Sequence, residues 1–148
     1  MEVNMSSHKL ALLSAAGLSL ALLAAPAYAD VIKYKADLSG PEENPPTASK
    51  GVGSIEASLD TTTKKLSWSG SYSGLTGPET AAHFHGPAAK GVNAGVMVPV
   101  AAKSSPFKGS ATLTSEQAKA FADGDVYFNV HTEKNKGGEI RGQMTPEK

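Results

Sequence analysis

The chain has 148 residues, no cysteine, and 14 basic side chains against 14 acidic ones. Disulfides, thiolate metal sites, cysteine nucleophiles and a lipid-modified N-terminal cysteine are thereby excluded. With charge balanced, no basic stripe interleaved with aromatics and no amphipathic basic helix, nucleic acid and membrane surfaces are not expected partners.

The first segment reads as an address label. Lys9 supplies a positive start, Leu10 to Ala25 is an apolar run broken by Ser14, Gly17 and Ser19, and Ala27-Tyr28-Ala29 offers small residues to a signal peptidase. The run falls short of the roughly 20 residues that span a bilayer. Residues 1–29 are thus expected to be a signal peptide cleaved before Asp30, leaving 30–148 as one exported domain, periplasmic or secreted. A domain of that size can bury a working core without covalent staples. Export without disulfides fits a bacterial envelope.

From residue 30 onward, short alternating runs are broken by Gly, Pro and Asn, the pattern of an antiparallel β-protein. Val31 to Leu38 predicts a first strand. The prolines of Gly40-Pro-Glu-Glu-Asn-Pro-Pro46 forbid its continuation, so this segment is a loop. Val52 to Leu59 places Ile55, Ala57 and Leu59 on a core face, and Leu66, Trp68, Gly70 and Tyr72 alternate with serines in a third strand. Further strands are predicted at 80–85, 95–101 and 107–113. A helix follows over 114–122, with Thr114 as N-cap, Gln117 completing a capping box and Gly124 closing the end. The last two strands, 125–132 and 139–144, are joined by a hairpin-sized loop, Glu133 to Gly138. About eight antiparallel strands and one short helix predict an all-β Greek-key sandwich or barrel.

Past residue 30 there are three histidines, and all lie in or beside strands. His83 and His85, two apart, project from one face of their strand, while Ala82 and Phe84 take the core side. In Val126-Tyr-Phe-Asn-Val-His131 the apolar face is Val126, Phe128 and Val130, which leaves Tyr127, Asn129 and His131 on the polar one. Were the two strands neighbours, His83, His85 and His131 would converge as three imidazole metal ligands with a further position open to water or substrate. Copper is the metal favoured by the Irving–Williams order, with zinc the alternative. Separation of the pair from His131 by more than about 10 Å would rule the site out. Met97 offers a soft ligand for Cu(I), although a methionine in an apolar strand is usually core. Glu139, Arg141 and Gln143 share a face of the last strand. Glu139 is a candidate catalytic base, or the carboxylate that sets a histidine tautomer. Arg141 is a candidate anion guide. The pair Glu42-Glu43 offers a cation contact or plain solvated charge.

Leu38-Ser-Gly-Pro-Glu-Glu-Asn-Pro-Pro46, Ala81-Ala-His-Phe-His-Gly-Pro-Ala88, Leu113-Thr-Ser-Glu-Gln117, Tyr127-Phe-Asn-Val-His-Thr132 and Gly138-Glu-Ile-Arg-Gly-Gln143 together resemble the CHRD domain, the repeat of chordin. The resemblance runs from about Ala36 to Met144. A looser similarity is to copper/zinc superoxide dismutase, a Greek-key barrel that uses a His-x-His pair, a later strand histidine and an arginine near its copper. That similarity implies His83, His85 and His131 as copper ligands and Arg141 as guide for superoxide. The bridging histidine and zinc loop have no counterpart here, so a copper-only enzyme is implied. Competing expectations are a zinc hydratase or hydrolase, with Glu139 as base, and a non-enzymatic extracellular interaction module.

Overall fold

The computed structural model describes residues 30–101 and 104–148, so the expected signal segment lies outside the described residues. Side-chain alternation builds the sheet. In β1 (Val31–Ser39) Tyr34, Ala36 and Leu38 turn inward; in β2 (Val52–Asp60) Ile55, Ala57 and Leu59 do; in β3 (Lys65–Ser73) Leu66 and Trp68 do. The remaining strands are β4 (Glu79–His85), β5 (Val96–Val100), β6 (Phe107–Thr112), β7 (Tyr127–Thr132), β8 (Ile140–Gln143) and β9 (Thr145–Pro146). All pairings are antiparallel, in the order β5-β4-β7-β8-β1-β2-β3-β6, with β9 added beside β1. The connections β3 to β4 and β5 to β6 cross between opposite ends of this order, in Greek-key fashion.

The sheet curls into a nearly closed barrel around an aromatic centre. Phe84 of β4, fully buried, meets Trp68 of β3 at 5.4 Å and Phe128 of β7 at 5.0 Å between ring centroids. Phe128 in turn stacks on Phe107 of β6 at 5.7 Å. Strands far apart in the pairing order thus pack against each other through the interior. Each large apolar side chain withdrawn from water contributes about 1.5–3 kcal/mol. The helix α1 (Ser115–Asp123) caps one end with Phe121 inserted against Tyr34 and Phe84. Its capping box at Thr114 and Gln117 forms as expected, and Gly124 closes it at φ 79°. Among the described residues no helix is long and apolar enough to cross a membrane.

Two features depart from the sequence expectation. The short β9 joins β1 at Tyr34 and Lys35, where alternation over two residues carries no pattern to detect. More consequentially, every residue of β7 is buried, including the face expected to be its polar, outer one. Loops fold over that face. The loop around 86–95 and the Pro-rich loop are tied together by Asn44 Nδ2 donating to the Gly91 carbonyl and Asn93 Nδ2 donating to the Asn44 carbonyl. The Pro-rich loop itself starts with a single 3-10 turn, Gly40–Glu42.

Candidate metal centre

The covered face is built by register. β4 pairs with β7 so that Ala81 stands opposite His131, His83 opposite Asn129, and His85 opposite Tyr127. On the other side of β7, Asn129 stands opposite Arg141 of β8. His83 and His85 therefore share a face with Tyr127, Asn129 and His131, as strand periodicity requires. Ring centroids lie 4.9 Å apart for His83 and His131, and 6.2 Å apart for His85 and His131. One nitrogen from each ring falls within 4.8 Å of the other two.

Tautomers follow from the partners. A carbonyl oxygen can only accept, so His85 Nδ1–H donates to the Ala94 carbonyl at 2.9 Å and His131 Nδ1–H to the Lys136 carbonyl at 2.8 Å. Both rings are left with a bare Nε2 lone pair. His83 Nδ1 stands 3.1 Å from His131 Nε2. His85 Nε2 is buried with no hydrogen-bond partner among the described residues. A buried, unsatisfied acceptor is costly unless something binds it. Burial, with the neighbouring imidazoles adding to it, lowers the pKa of His83. Burial also lowers that of His85, against the opposing effect of the Ala94 hydrogen bond. Two rings with tautomers fixed by backbone carbonyls, and one nitrogen of each of the three rings within 4.8 Å of the others, suit a nitrogen-liganded metal. The donor set fits.

The flanking groups depart from expectation. Glu139, wholly buried just before β8, accepts from Ser49 Oγ, Thr76 N and Oγ1, Thr132 Oγ1 and Asn135 Nδ2. Burial alone would raise its pKa, but the Ser49, Thr132 and Thr76 bonds outweigh it and pull the carboxyl down to about 2. Glu139 thus pins three loops, and backbone carbonyls, not a carboxylate, hold the histidine tautomers. Arg141, 2% exposed, lies with its guanidinium carbon 3.4 Å from the Tyr127 ring centroid. It donates to Asn93 Oδ1 at 2.7 Å and to the Val92 carbonyl. Tyr127 stacks parallel on His85 at 4.7 Å, and the Arg141 charge reaches His85, where it disfavours the protonated ring. Gln143 spans to the Ala88 and Gly124 carbonyls. Met97 packs against the hydrophobic core.

The two adjacent glutamates separate completely. Glu42 pairs with Lys90 at the surface, 2.9 Å away. Glu43 is buried; desolvation pushes its carboxyl up to about 7, with Arg141 and Asn129 opposing the rise. Its neighbour Gly138 has φ 129°, and a Cβ there would overlap Glu43 Oε1 and come within 2.6 Å of Asn129 Nδ2. Gly138→Ala is therefore expected to cost about 2–3 kcal/mol, combining positive-φ strain with overpacking. A thermal melt should register that loss as a midpoint lower by roughly 5–12 °C.

A family profile described as CHRD domain matches residues 34–144, a span that includes all three histidines, Glu43 and Arg141. The chain belongs to the CHRD family. In this CHRD domain the matched span runs from the inward Tyr34 of β1 to Met144, so the family signature and the barrel coincide. No curated protein and no solved structure matches the chain. Neither of these comparisons supports the looser similarity to copper/zinc superoxide dismutase. Sequence reasoning passed over Asn129 as one of several polar-face residues and grouped Glu43 with its solvated neighbour. The available signal was position, since Asn129 lies two residues from His131 on the same face.

Proposed function

We propose that this CHRD domain is an exported copper-binding protein with a redox role toward a small anion such as superoxide. The observation that supports it is the convergence of three imidazoles within 4.8 Å, two with Nδ1–H fixed by backbone carbonyls. His85 and His131 would ligate through Nε2, the nitrogens their carbonyl bonds leave available, and His83 through Nδ1, which stands 3.1 Å from His131 Nε2. Bound there, copper supplies one-electron exchange between Cu(II) and Cu(I). Tyr127 holds the His85 plane by stacking, and Arg141 holds a fixed positive charge over the Tyr127 ring that favours approach of an anion. The zinc-hydrolytic alternative needs a carboxylate that takes up a proton at neutral pH. Glu139, at about 2, is poorly suited to that, while Glu43, at about 7, stands outside the group of three imidazoles that could hold the ion.

Equilibrium dialysis against copper, followed by spin resonance of the loaded protein, tests the reading. One equivalent bound with nitrogen hyperfine structure is expected; no uptake above that of a histidine-free control overturns it. Superoxide consumption by the loaded protein then separates redox catalysis from carriage.

The pH dependence follows from the lowered pKa values of His83 and His85. A proton competes with the metal only once pH falls to the pKa of the ligand ring. Apparent copper affinity should therefore stay nearly flat through neutrality and decline only below the ordinary imidazole value of 6.5. Competition titrations with a chelator of known pH dependence would show this. A steep decline already between pH 8 and 7 would contradict it.

A further inference from the structure

Arg141 carries a positive charge into the covered face, and no anion is paired with it there. Its side chain is 2% exposed, and among the described residues no carboxylate forms an ion pair with it. The guanidinium donates to neutral acceptors instead, Asn93 Oδ1 at 2.7 Å and the Val92 carbonyl. Glu43, which the charge reaches, is held up to about 7 by desolvation, so below that pH it is mainly neutral.

One aromatic ring separates this charge from the histidines. β7 runs between β4 and β8, so His85 approaches Tyr127 from one flank and Arg141 from the other. The guanidinium carbon stands 3.4 Å from the Tyr127 ring centroid. The His85 ring lies parallel to Tyr127, with 4.7 Å between centroids and 2° between planes. Two groups this close could not share one face of the phenol ring without overlapping, so Tyr127 is sandwiched between them. A hydrocarbon ring in place of water screens the charge poorly.

The group that could hold an ion is three imidazoles, which bind metal as neutral ligands and cancel none of its charge. An ion bound there meets the field of Arg141 with its whole charge. The repulsion scales with that charge, so a divalent ion feels twice what a monovalent one does. We propose that the Arg141–Tyr127–His85 stack biases the site toward the ion of lower charge, favouring Cu(I) over Cu(II). The inference rests on the metal reading of the three histidines. Arg141 acts across Tyr127 as a positioning residue, and its charge sets which oxidation state the imidazoles hold more tightly.

Cu(I) affinity is measured anaerobically against a cuprous chelator, and Cu(II) affinity against a cupric one, at pH 6.5. Wild type, Arg141→Gln and Asn93→Asp are compared. Glutamine removes the charge and keeps an amide donor. Aspartate keeps an acceptor of nearly the same shape and sets an anion on the guanidinium, at a loop position that is already exposed. The ratio of Cu(II) to Cu(I) affinity should rise about tenfold in Arg141→Gln, which corresponds to a copper potential lower by about 59 mV. In Asn93→Asp, where the charge is offset and not removed, it should rise about threefold. A purely structural role for Arg141 would weaken both ions alike and leave the ratio unchanged. An unchanged ratio in Arg141→Gln overturns the proposal, and so does an unchanged ratio in Asn93→Asp should Arg141→Gln not fold. Failure of the wild type to take up either ion is a separate result that removes the metal reading and this inference with it.

Discussion

Replacing His131 with alanine is expected to lower copper affinity by about a hundredfold or more and to strip nitrogen hyperfine structure from the spin-resonance signal. Loss of a group that merely supports a ligand typically costs about 10–100-fold, so loss of a ligand itself should exceed that range. The effect should be larger than for a surface histidine because the His131 ring is already held. Its Nδ1–H is committed to the Lys136 carbonyl, and its Nε2 lies 3.1 Å from His83 Nδ1. Without it, His83 loses its partner and the two remaining rings, 5.4 Å apart between centroids, belong to one strand only. Chelator competition on wild type and His131→Ala, with circular dichroism confirming that both fold, is the measurement. Equal affinities would show that copper, if bound, sits elsewhere.

Glu139→Ala should produce the largest loss of stability of any single change outside the barrel core, about 3–5 kcal/mol, and a melting temperature lower by on the order of 10–20 °C. Truncation strands donors from Ser49, Thr76, Thr132 and Asn135 in a buried setting, where each unmet group carries its own desolvation penalty. The same residue predicts acid lability. Its folded pKa of about 2 lies below the ordinary 4.5, so its contribution is fully present above 4.5 and is lost as pH falls toward 2. Glu43 has the opposite sign: with its carboxyl raised to about 7, folding favours the protonated form, a contribution present below 4.5 and lost as pH rises through 7. Urea midpoints at pH 6, 4 and 2.5 for wild type and Glu139→Gln separate the two, because the loss below 4.5 should be larger in the wild type than in the variant, which keeps only the smaller acid losses of groups such as Asp60 and Glu116. An identical acid profile in both would mean that the carboxylate is not ionised in its cage.

The all-β class, the strands, the capping box at Thr114 and Gln117, and the inward sets Ile55-Ala57-Leu59 and Leu66-Trp68 were legible in the sequence, because each is a local consequence of period or capping chemistry. So was the shared face of His83 and His85, and of Asn129 and His131, since side chains two apart on a strand cannot avoid it. That these faces meet was not legible. It depends on β4 pairing with β7, two strands separated by the β5, β6 and α1 segment, and register between distant strands is set by the whole core.

Burial of the polar face escaped the sequence for a related reason. The Pro-rich segment that ends at Pro46 reads as a loop, yet it and the segment around 86–95 close over β7 and β8 through Asn44, Asn93 and Arg141. Closure gives Glu42 and Glu43 different fates one residue apart, and makes Glu139 a knot between loops. Composition and periodicity therefore determined which residue types face which way along each strand. Only the tertiary structure decided which faces are covered and by what, because desolvation is a property of everything folded against a group and not of its neighbours in the chain.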